Sequence, residues 1–318
     1  MSFVAAMALA MAVALAVDAA VGWPDAIYRR IGHPVTWLGR LISGLDRRWN
    51  DATLGDGARR VRGALAVAVV VAAAVAPAAA VQALLPTGWV GVLVTGVLAW
   101  PLVAARSLHA HVVAVARPLS AGRTDAARQA VAMIVGRDPA RLDDAGIARA
   151  ALESLAENTS DGVIAPLMWG AVAGLPGIAG YKAINTLDSM IGHRTARHEA
   201  FGMVAARLDD VANWVPARAT AGLIALASGR ALRAARTAWR DAGRHRSPNA
   251  GWPEAAMAGA LGVRLSGPRV YEGRATDEPW IGGAHPDPAG DDLSRGLAVY
   301  IRAILLAGLG LIGLAVWG

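Results

Sequence analysis

Apolar residues run along this chain in long uncharged blocks, separated by segments dense in arginine. Met1–Val17 carries no charge and is followed by Asp18. A secretory leader would begin with basic residues and end in a small-residue cleavage site, so the pattern predicts a retained first helix over about residues 2–21. Gly63–Ala105 is again free of charge, with the turn signal Pro86-Thr87-Gly88 near its middle. A bilayer core takes about 20 apolar residues per helix. This block therefore predicts a membrane hairpin, 63–84 and 89–106, in which Pro77 and Pro101 are tolerable. A last hydrophobic block, 297–317, predicts another span, whereas Ala219–Gly229 is only eleven residues long and too short to cross.

The polar segments carry their own periodicities. His33-Pro34-Val35 reads as a fixed turn leading into a short amphipathic helix, Trp37–Trp49, with both tryptophans at headgroup level. Ser120–Val135 alternates like an amphipathic helix, Arg137-Asp138-Pro139 breaks it, and Asp143-Asp144 is placed to cap the next helix. Arg230–Arg246 is a basic amphipathic helix, Ser247–Glu254 a rigid turn, and Gly267–Arg295 irregular. The fold class expected is all-α: a polytopic helical membrane protein with cytoplasm-facing helical and loop regions. It forms one integral-membrane domain, 1–318, with possible re-entrant or buried helices at 163–181 and 211–229.

Composition agrees with that class. The chain is 55% hydrophobic and 17% charged, against roughly 25% charged for a soluble domain. Cysteine is absent, which excludes disulfides, thiolate metal sites and a catalytic thiol. Of the 31 basic residues, all but Lys182 are arginine. The loop 22–62 and the region from Arg106 onward are rich in arginine, and the turn 85–88 has none. The positive-inside rule then puts both polar regions in the cytoplasm and both termini outside.

Ala150–Arg197 stands apart. It opens on Glu153, Glu157, Asn158 and Asp161, crosses nineteen uncharged residues (Val163–Tyr181), and emerges at Lys182, Asn185, Asp188 and Arg194. A crossing at 163–181 would separate Glu157 from Lys182. A re-entrant or protein-buried helix pair keeps both polar ends on one side and is the preferred reading. Glu153, Glu157 and Asp161 recur every fourth residue on one helix face, where three like charges need a cationic partner, Mg²⁺ or an ammonium group. The bland alternative is a solvated acidic face. Lys182, Asn185, Thr186 and Ser189 share another face. Asp209, Asp210 and Asn213 form D-D-x-x-N, which suits Mg²⁺ with phosphate but equally suits a helix cap. Arg194 and Arg218 suit a phosphate clamp or a membrane-surface ion pair. No H-x-x-x-H spacing and no phosphate-binding G-x-x-x-x-G-K-[ST] loop is present, so no transition metal is assigned.

Four blocks carry a family resemblance: A-L-E-S-L-A-E-N-T-S-D-G-V-I-A-P-L at 151–167, L-P-G-I-A-G-Y-K-A-I-N-T-L-D-S-M-I-G-H-R at 175–194, D-D-V-A-N-W-V-P-A-R at 209–218, and S-P-N-A-G-W-P-E-A-A-M-A-G-A-L-G at 247–262. With D-x-x-x-G-W-P and H-P-V-x-x-x-G at 18–39, the sequence resembles the CobD/CbiB family of cobalamin biosynthesis proteins over nearly its whole length.

The resemblance implies a ligase of the bacterial cytoplasmic (inner) membrane, multi-pass and with its active face cytoplasmic. Such a protein is an adenosylcobinamide-phosphate synthase, joining aminopropanol or its O-phosphate to the free propionate of adenosylcobyric acid. The implied co-substrate is ATP with Mg²⁺. The other implied partners are membrane lipid and other cobalamin-pathway enzymes, with no nucleic acid. The residue reading fits this chemistry as follows. Glu157, Asp161, Lys182 and Asp188 are the catalytic candidates, with Glu157 as base. Glu153, Asn158, Asn185, Arg194, Arg218 and Asn249 are the substrate and phosphate contacts, and Asp188, Asp209, Asp210 and Asn213 the Mg²⁺ ligands. The corrinoid would lie against Trp169, Trp214 and Trp252. Two other classes compete: a membrane corrinoid carrier, and an intramembrane transferase using a diphosphate donor.

Overall fold

Length and apolarity set the long helices of the computed structural model, which describes residues 1–134, 142–271, 274–276 and 278–318. The Arg137-Asp138-Pro139 break lies outside the described residues. In chain order the helices are α1 (Phe3–Val21), α2 (Asp25–Ile31), α3 (Pro34–Trp49), α4 (Asp56–Leu84), α5 (Trp89–Ala99), α6 (Ala105–Ser120) and α7 (Thr124–Val131). They continue with α8 (Asp144–Asn158), α9 (Ala165–Leu187), α10 (Met203–Ala212), α11 (Trp214–Ala227), α12 (Ala231–Asp241), α13 (Gly251–Leu261) and α14 (Gly290–Trp317). Five helical stretches among the described residues are long and apolar enough to cross a bilayer: 3–21, 56–84, 89–120, 144–192 and 290–317. The chain is an all-α polytopic membrane protein. Two of these helices begin earlier than their apolar blocks. α4 starts at Asp56 and α14 at Gly290, where Asp56, Asp291 and Asp292 occupy first turns. Acidic groups there complement the positive end of the helix dipole and extend the helix into polar sequence.

The chain forms two compact units, one of Met1–Ala104, Ala165–Asn213 and Gly310–Gly318, the other of Ala105–Ile164 and Trp214–Leu309. The first unit is built on small-residue contacts. A Cβ on Gly96 of α5 would collide with the Ala10 carbonyl of α1, and one on Gly170 of α9 with Met11. Such close backbone approach is how helices associate where lipid removes any hydrophobic advantage.

Within this unit α9 is not a straight rod. Gly174 sits at φ 65° and ψ −147°, outside helical values, and Pro176 follows. A Cβ on Gly177 would fall on the Trp169 carbonyl, and Ala165 packs with Tyr181 and Ile184. In a straight helix at about 1.5 Å per residue, Ala165 and Tyr181 would stand roughly 24 Å apart. The chain therefore doubles back at Gly174 into two arms, 165–173 and 175–187. The second arm lines α4: Ala183 and Leu187, with Ile191 just beyond the arm, share a core with Ala66, Val67 and Val70, together with Ile42 of α3, Phe201, and Ala205 of α10.

The reversal leaves a helix N-terminus without backbone partners. Gln82 of α4 supplies one. Its Oε1 accepts the Leu175 N–H at 2.6 Å, while its Nε2 lies 3.2 Å from the Met7 sulfur. Gln82 is the one strongly polar side chain in the block from Gly63 to Leu85.

The aminoterminal loop is locked by its own motif residues. Gly22 and Gly32 adopt positive φ, and the Trp100, Trp23 and Trp37 indoles donate to the carbonyls of Gly22, Gly32 and Ile31. His33 caps α3, accepting the Val35 N–H while its own N–H donates to Thr36.

In the second unit, Asp143 caps α8 through the Gly146 N–H at 2.8 Å. Of the amphipathic stretch Ser120–Val135, the helix α7 covers only Thr124–Val131; α6 ends at Ser120, and Gly122 takes a positive φ in the turn between them. The region beyond Gly262 is not wholly irregular. Leu265–Ser266 pairs antiparallel with Trp280–Ile281, and Arg269–Tyr271 with Arg274–Thr276. Fully buried Asp241 anchors this region to α12. It accepts the Gly282 N–H at 3.0 Å and pairs with Arg240 at 2.7 Å and Arg244 at 3.5 Å. Burial works to raise the Asp241 carboxyl, but the hydrogen bonds from Arg240 and Gly282 and the two guanidinium charges outweigh it, and its pKa lies below the ordinary value.

Two outcomes follow. Gln82→Leu is isosteric enough to fill its site but strands the Leu175 N–H, and should lower stability by about 1–3 kcal/mol, measured by thermal unfolding in detergent against Gln82→Glu, which keeps an acceptor. A carboxylate with a depressed folded pKa stabilises above its unfolded pKa, about 3.9, and loses that contribution as pH falls through the lower folded value. Asp241→Asn should therefore reduce the melting temperature at neutral pH and narrow its fall on acidification below about pH 4.

Candidate functional site

The open end of the α9 hairpin gathers the polar groups of the first unit. Tyr181, Asn185 and Asp188 are spaced i, i+4, i+7 and so share one stripe of the second arm. A π-helical turn, Asp188–Gly192, follows directly, and Asp188 Oδ1 lies where a Cβ on Gly192 would have to go. Such turns are rare and concentrate at functional sites.

α10 meets this stripe with Asp209 and Asp210. They are not caps: both lie in the last turn of the helix, where the dipole disfavours anions. The Tyr181 hydroxyl donates to Asn213 Oδ1 at 2.8 Å, and Asn213 Nδ2 donates to Asp209 Oδ2 at 3.0 Å. Tyr181 and Asn213 are buried. The other oxygen, Asp209 Oδ1, is also buried and accepts no hydrogen bond from the described residues.

Burial, and then the neighbouring Asp188 charge, push Asp209 up to about 7, against the opposing effect of Asn213 and Asn185. Asp210 is raised as well, by burial, with the Arg207 and Arg194 guanidinium charges acting against it. The result is three carboxylates with two arginines beside them, one oxygen of which is held dry and unpartnered.

Lys182 is buried on the adjoining stripe. Burial holds the His33 imidazole below its usual range, the Lys182 charge adds to this, and a hydrogen bond with the Pro101 carbonyl opposes both. Thr186 and Ser189 spend their hydroxyls on the helix itself, donating to the Lys182 and Asn185 carbonyls at 2.6 and 2.8 Å.

The expected groups of the second unit fall into two places. On α8, Glu153 is buried and Oε1 accepts the Ser266 N–H at 2.7 Å, holding a residue in the left-handed region at φ 60°. Glu157 and Asn158 are exposed, with Asn158 donating to the Ser154 carbonyl at 2.9 Å. Asp161 lies in a second π-helical turn, Thr159–Ile164, which changes the turn angle and takes it off the stripe that Glu153 and Glu157 would share in a regular helix. Ser160, beside it, is buried with its hydroxyl unpartnered among the described residues.

The second place is at α11 and α13. The Arg218 guanidinium lies between the Trp214 and Trp252 rings, 4.3 and 4.8 Å from their centroids, and donates to the Trp214 carbonyl at 2.7 Å and Asn249 Oδ1 at 3.3 Å. This fixes the plane of a cation and leaves donors at its edge.

Sequence reasoning missed Tyr181, Arg207 and Gln82. The i, i+4, i+7 spacing of Tyr181 with Asn185 and Asp188 was a usable signal, as was a lone glutamine in an apolar block. Nothing in the spacing pointed to Arg207.

Tyr181→Phe should cost about 1 kcal/mol, one hydrogen bond. Asn213→Leu should cost more, roughly 2–3 kcal/mol, because it strands both Tyr181 and Asp209. In the double variant the two losses should be less than additive, read by denaturation in detergent.

A family model for CobD/Cbib proteins matches residues 11–300. The chain is 62% identical over 302 residues to the cobalamin biosynthesis protein CobD of Rhodobacter capsulatus, covering 95% of each chain. It is 46% identical over 303 residues to that of Sinorhizobium fredii, covering 93% of each. With that of Klebsiella pneumoniae it shares 43% identity over 319 residues, 97% of this chain and 98% of the relative. No solved structure matches.

Proposed function

Because the chain belongs to the CobD/CbiB family of cobalamin biosynthesis proteins, we propose that it forms an amide between (R)-1-aminopropan-2-ol, or its O-phosphate, and the free propionate of adenosylcobyric acid. The product is adenosylcobinamide or its phosphate. A carboxylate is a poor acyl acceptor, because its charge repels the amine's lone pair and it offers no leaving group, so one carboxylate oxygen must be made to leave and the ammonium must lose a proton. ATP with Mg²⁺ is the co-substrate chemistry that supplies the leaving group.

The observation that carries this reading is the Asp188, Asp209 and Asp210 cluster with its dry, unpartnered Asp209 oxygen. Among the described residues no three acidic or histidine groups converge as a complete metal cage. Mg²⁺ does not require one: it is usually held by one or two carboxylates and completes its shell with water and substrate phosphate. Asp209, with Asp188 or Asp210, meets that requirement. Arg194 is the phosphate partner beside them, and Lys182 and Asn185 line the same hairpin end. Asn213 is engaged through both its oxygen and its nitrogen, so its assigned task is to orient Asp209.

In the second unit, Glu157 and Asp161 receive the amine, with Glu157 taking its proton. Arg218, Asn249 and the Trp214 and Trp252 rings suit a flat, amide-fringed macrocycle. Glu153 is assigned to holding Ser266 rather than substrate. The membrane is the bacterial inner membrane, with these groups on its cytoplasmic face.

The test is mass spectrometry of products from purified protein in detergent, with adenosylcobyric acid and either amine, with and without ATP and Mg²⁺. The expected product has the mass of acid plus amine less one water, and appears only with ATP. Asp210→Asn and Glu157→Gln should each lower its rate about 10²-fold or more. Full activity in either variant would remove the role assigned to that residue, and unchanged substrate moving across vesicles would favour a carrier.

A further inference from the structure

α12 presents an outer face that meets the proposed corrinoid surface only where the Trp239 ring stands edge-on to Trp252, 6.1 Å between centroids. Its inner face is fully accounted for. Ala234, Thr237, Ala238 and Asp241 are buried, and a Cβ on Gly259 of α13 would meet Thr237 and Ala234. Arg233 is turned inward, donating to the Gly259 and Ala260 carbonyls at 2.6 and 2.9 Å near the end of α13.

The outer face is Leu232, Ala235, Arg236 and Trp239, at i, i+3, i+4 and i+7. Leu232 is 74% exposed and Trp239 82% exposed, values that water alone does not favour for a leucine and a tryptophan on one stripe. Leu226, 69% exposed at the end of α11, continues the ridge across the Gly229 turn. The segment Arg230–Arg246 holds six arginines and a single acid, Asp241, which is already paired with Arg240 and Arg244.

We propose that α12 lies along the anionic headgroup layer of a bilayer, with Leu232 and Trp239 inserted at the acyl boundary and Arg230 and Arg236 on lipid phosphates. An apolar stripe flanked by arginine, with tryptophan at its edge, is the composition of an interfacial helix. A bilayer is at hand, because α14 is apolar and long enough to cross, and its part within the same unit, up to Leu309, exposes Ile301, Leu305 and Leu309. A second copy is disfavoured as the occupant: a two-fold contact through this face would bring two sets of its arginines together, and the one acid of the segment, Asp241, is already paired with Arg240 and Arg244.

The absence of cysteine gives a direct test on the full-length protein. Ala235→Cys carries an environment-sensitive fluorophore on the stripe, and Ala284→Cys carries it at an exposed site elsewhere in the unit. Each is placed in nanodiscs of phosphatidylcholine alone or mixed with phosphatidylglycerol. The expected result is a blue shift, loss of acrylamide access and quenching by brominated lipid for the Ala235 label in the mixed discs. Neither the Ala284 label nor the Ala235 label combined with Arg236→Glu should show it. An Ala235 label open to acrylamide in both lipids overturns the proposal. So does equal protection in phosphatidylcholine alone, or protection in detergent that grows with protein concentration, which would indicate a second copy.

Discussion

Backbone that leaves helical geometry inside an apolar environment must find its hydrogen bonds within the protein, because lipid offers none. That constraint governs the first unit. α9 reverses at Gly174, and the reversal exposes the amides that begin its second arm. Gln82 answers with one amide oxygen. Everything downstream hangs on this arm: Tyr181, Lys182, Asn185 and Asp188 lie along it in order, and its apolar side is what packs on α4. A hairpin closed at one end and polar at the other is how a sequence that looks like a span brings both of its ends back together.

Two carboxylates, Asp241 fully buried and Asp209 half-buried with its Oδ1 enclosed, show how differently one functional group can be kept. Asp241 meets a backbone N–H and two arginines, and its charge is satisfied within the protein. It is a structural anchor, and its acidity is enhanced. Asp209 has Asn213 on one oxygen and the Asn185 amide near enough to oppose the rise of its pKa, while Oδ1 accepts no well-formed hydrogen bond among the described residues and like charges stand nearby at the unfavourable end of α10. Its proton is held close to neutrality. The first site has its charge balanced by its own neighbours; the second keeps its proton nearly to neutral pH instead.

Much of this architecture was legible in the sequence, for identifiable reasons. Uncharged blocks and the Pro86-Thr87-Gly88 signal locate the long helices because lipid imposes length and polarity together. The His33 turn and the Asp143 cap are local interactions, written in a few adjacent residues. The D-D-x-x-N spacing was read for metal or a helix cap, and the bond the structure forms there, Asn213 to Asp209, is the ordinary i, i+4 contact of a helix. What was not legible was long-range or irregular. The shared acidic face fails at Asp161 because a π-helical turn alters the angle per residue, which no spacing rule anticipates. Glu153 looked like a site residue and is instead taken up by Ser266, 113 residues away in sequence. Thr186 and Ser189 looked available but close on their own helix.

The Gln82 bond also orders events during synthesis. Each arm of the α9 hairpin is too short to hold in a bilayer by itself, and its turn is tolerable only once an acceptor stands at the right depth. Gln82 and Met7 both precede Leu175 in the chain. When translation reaches the hairpin, α1 and α4 have already emerged, so the receptor for the turn exists before the turn does. Moving the hairpin ahead of α4 in a permuted chain would keep every native contact and yet deprive the ribosome-bound intermediate of its partner.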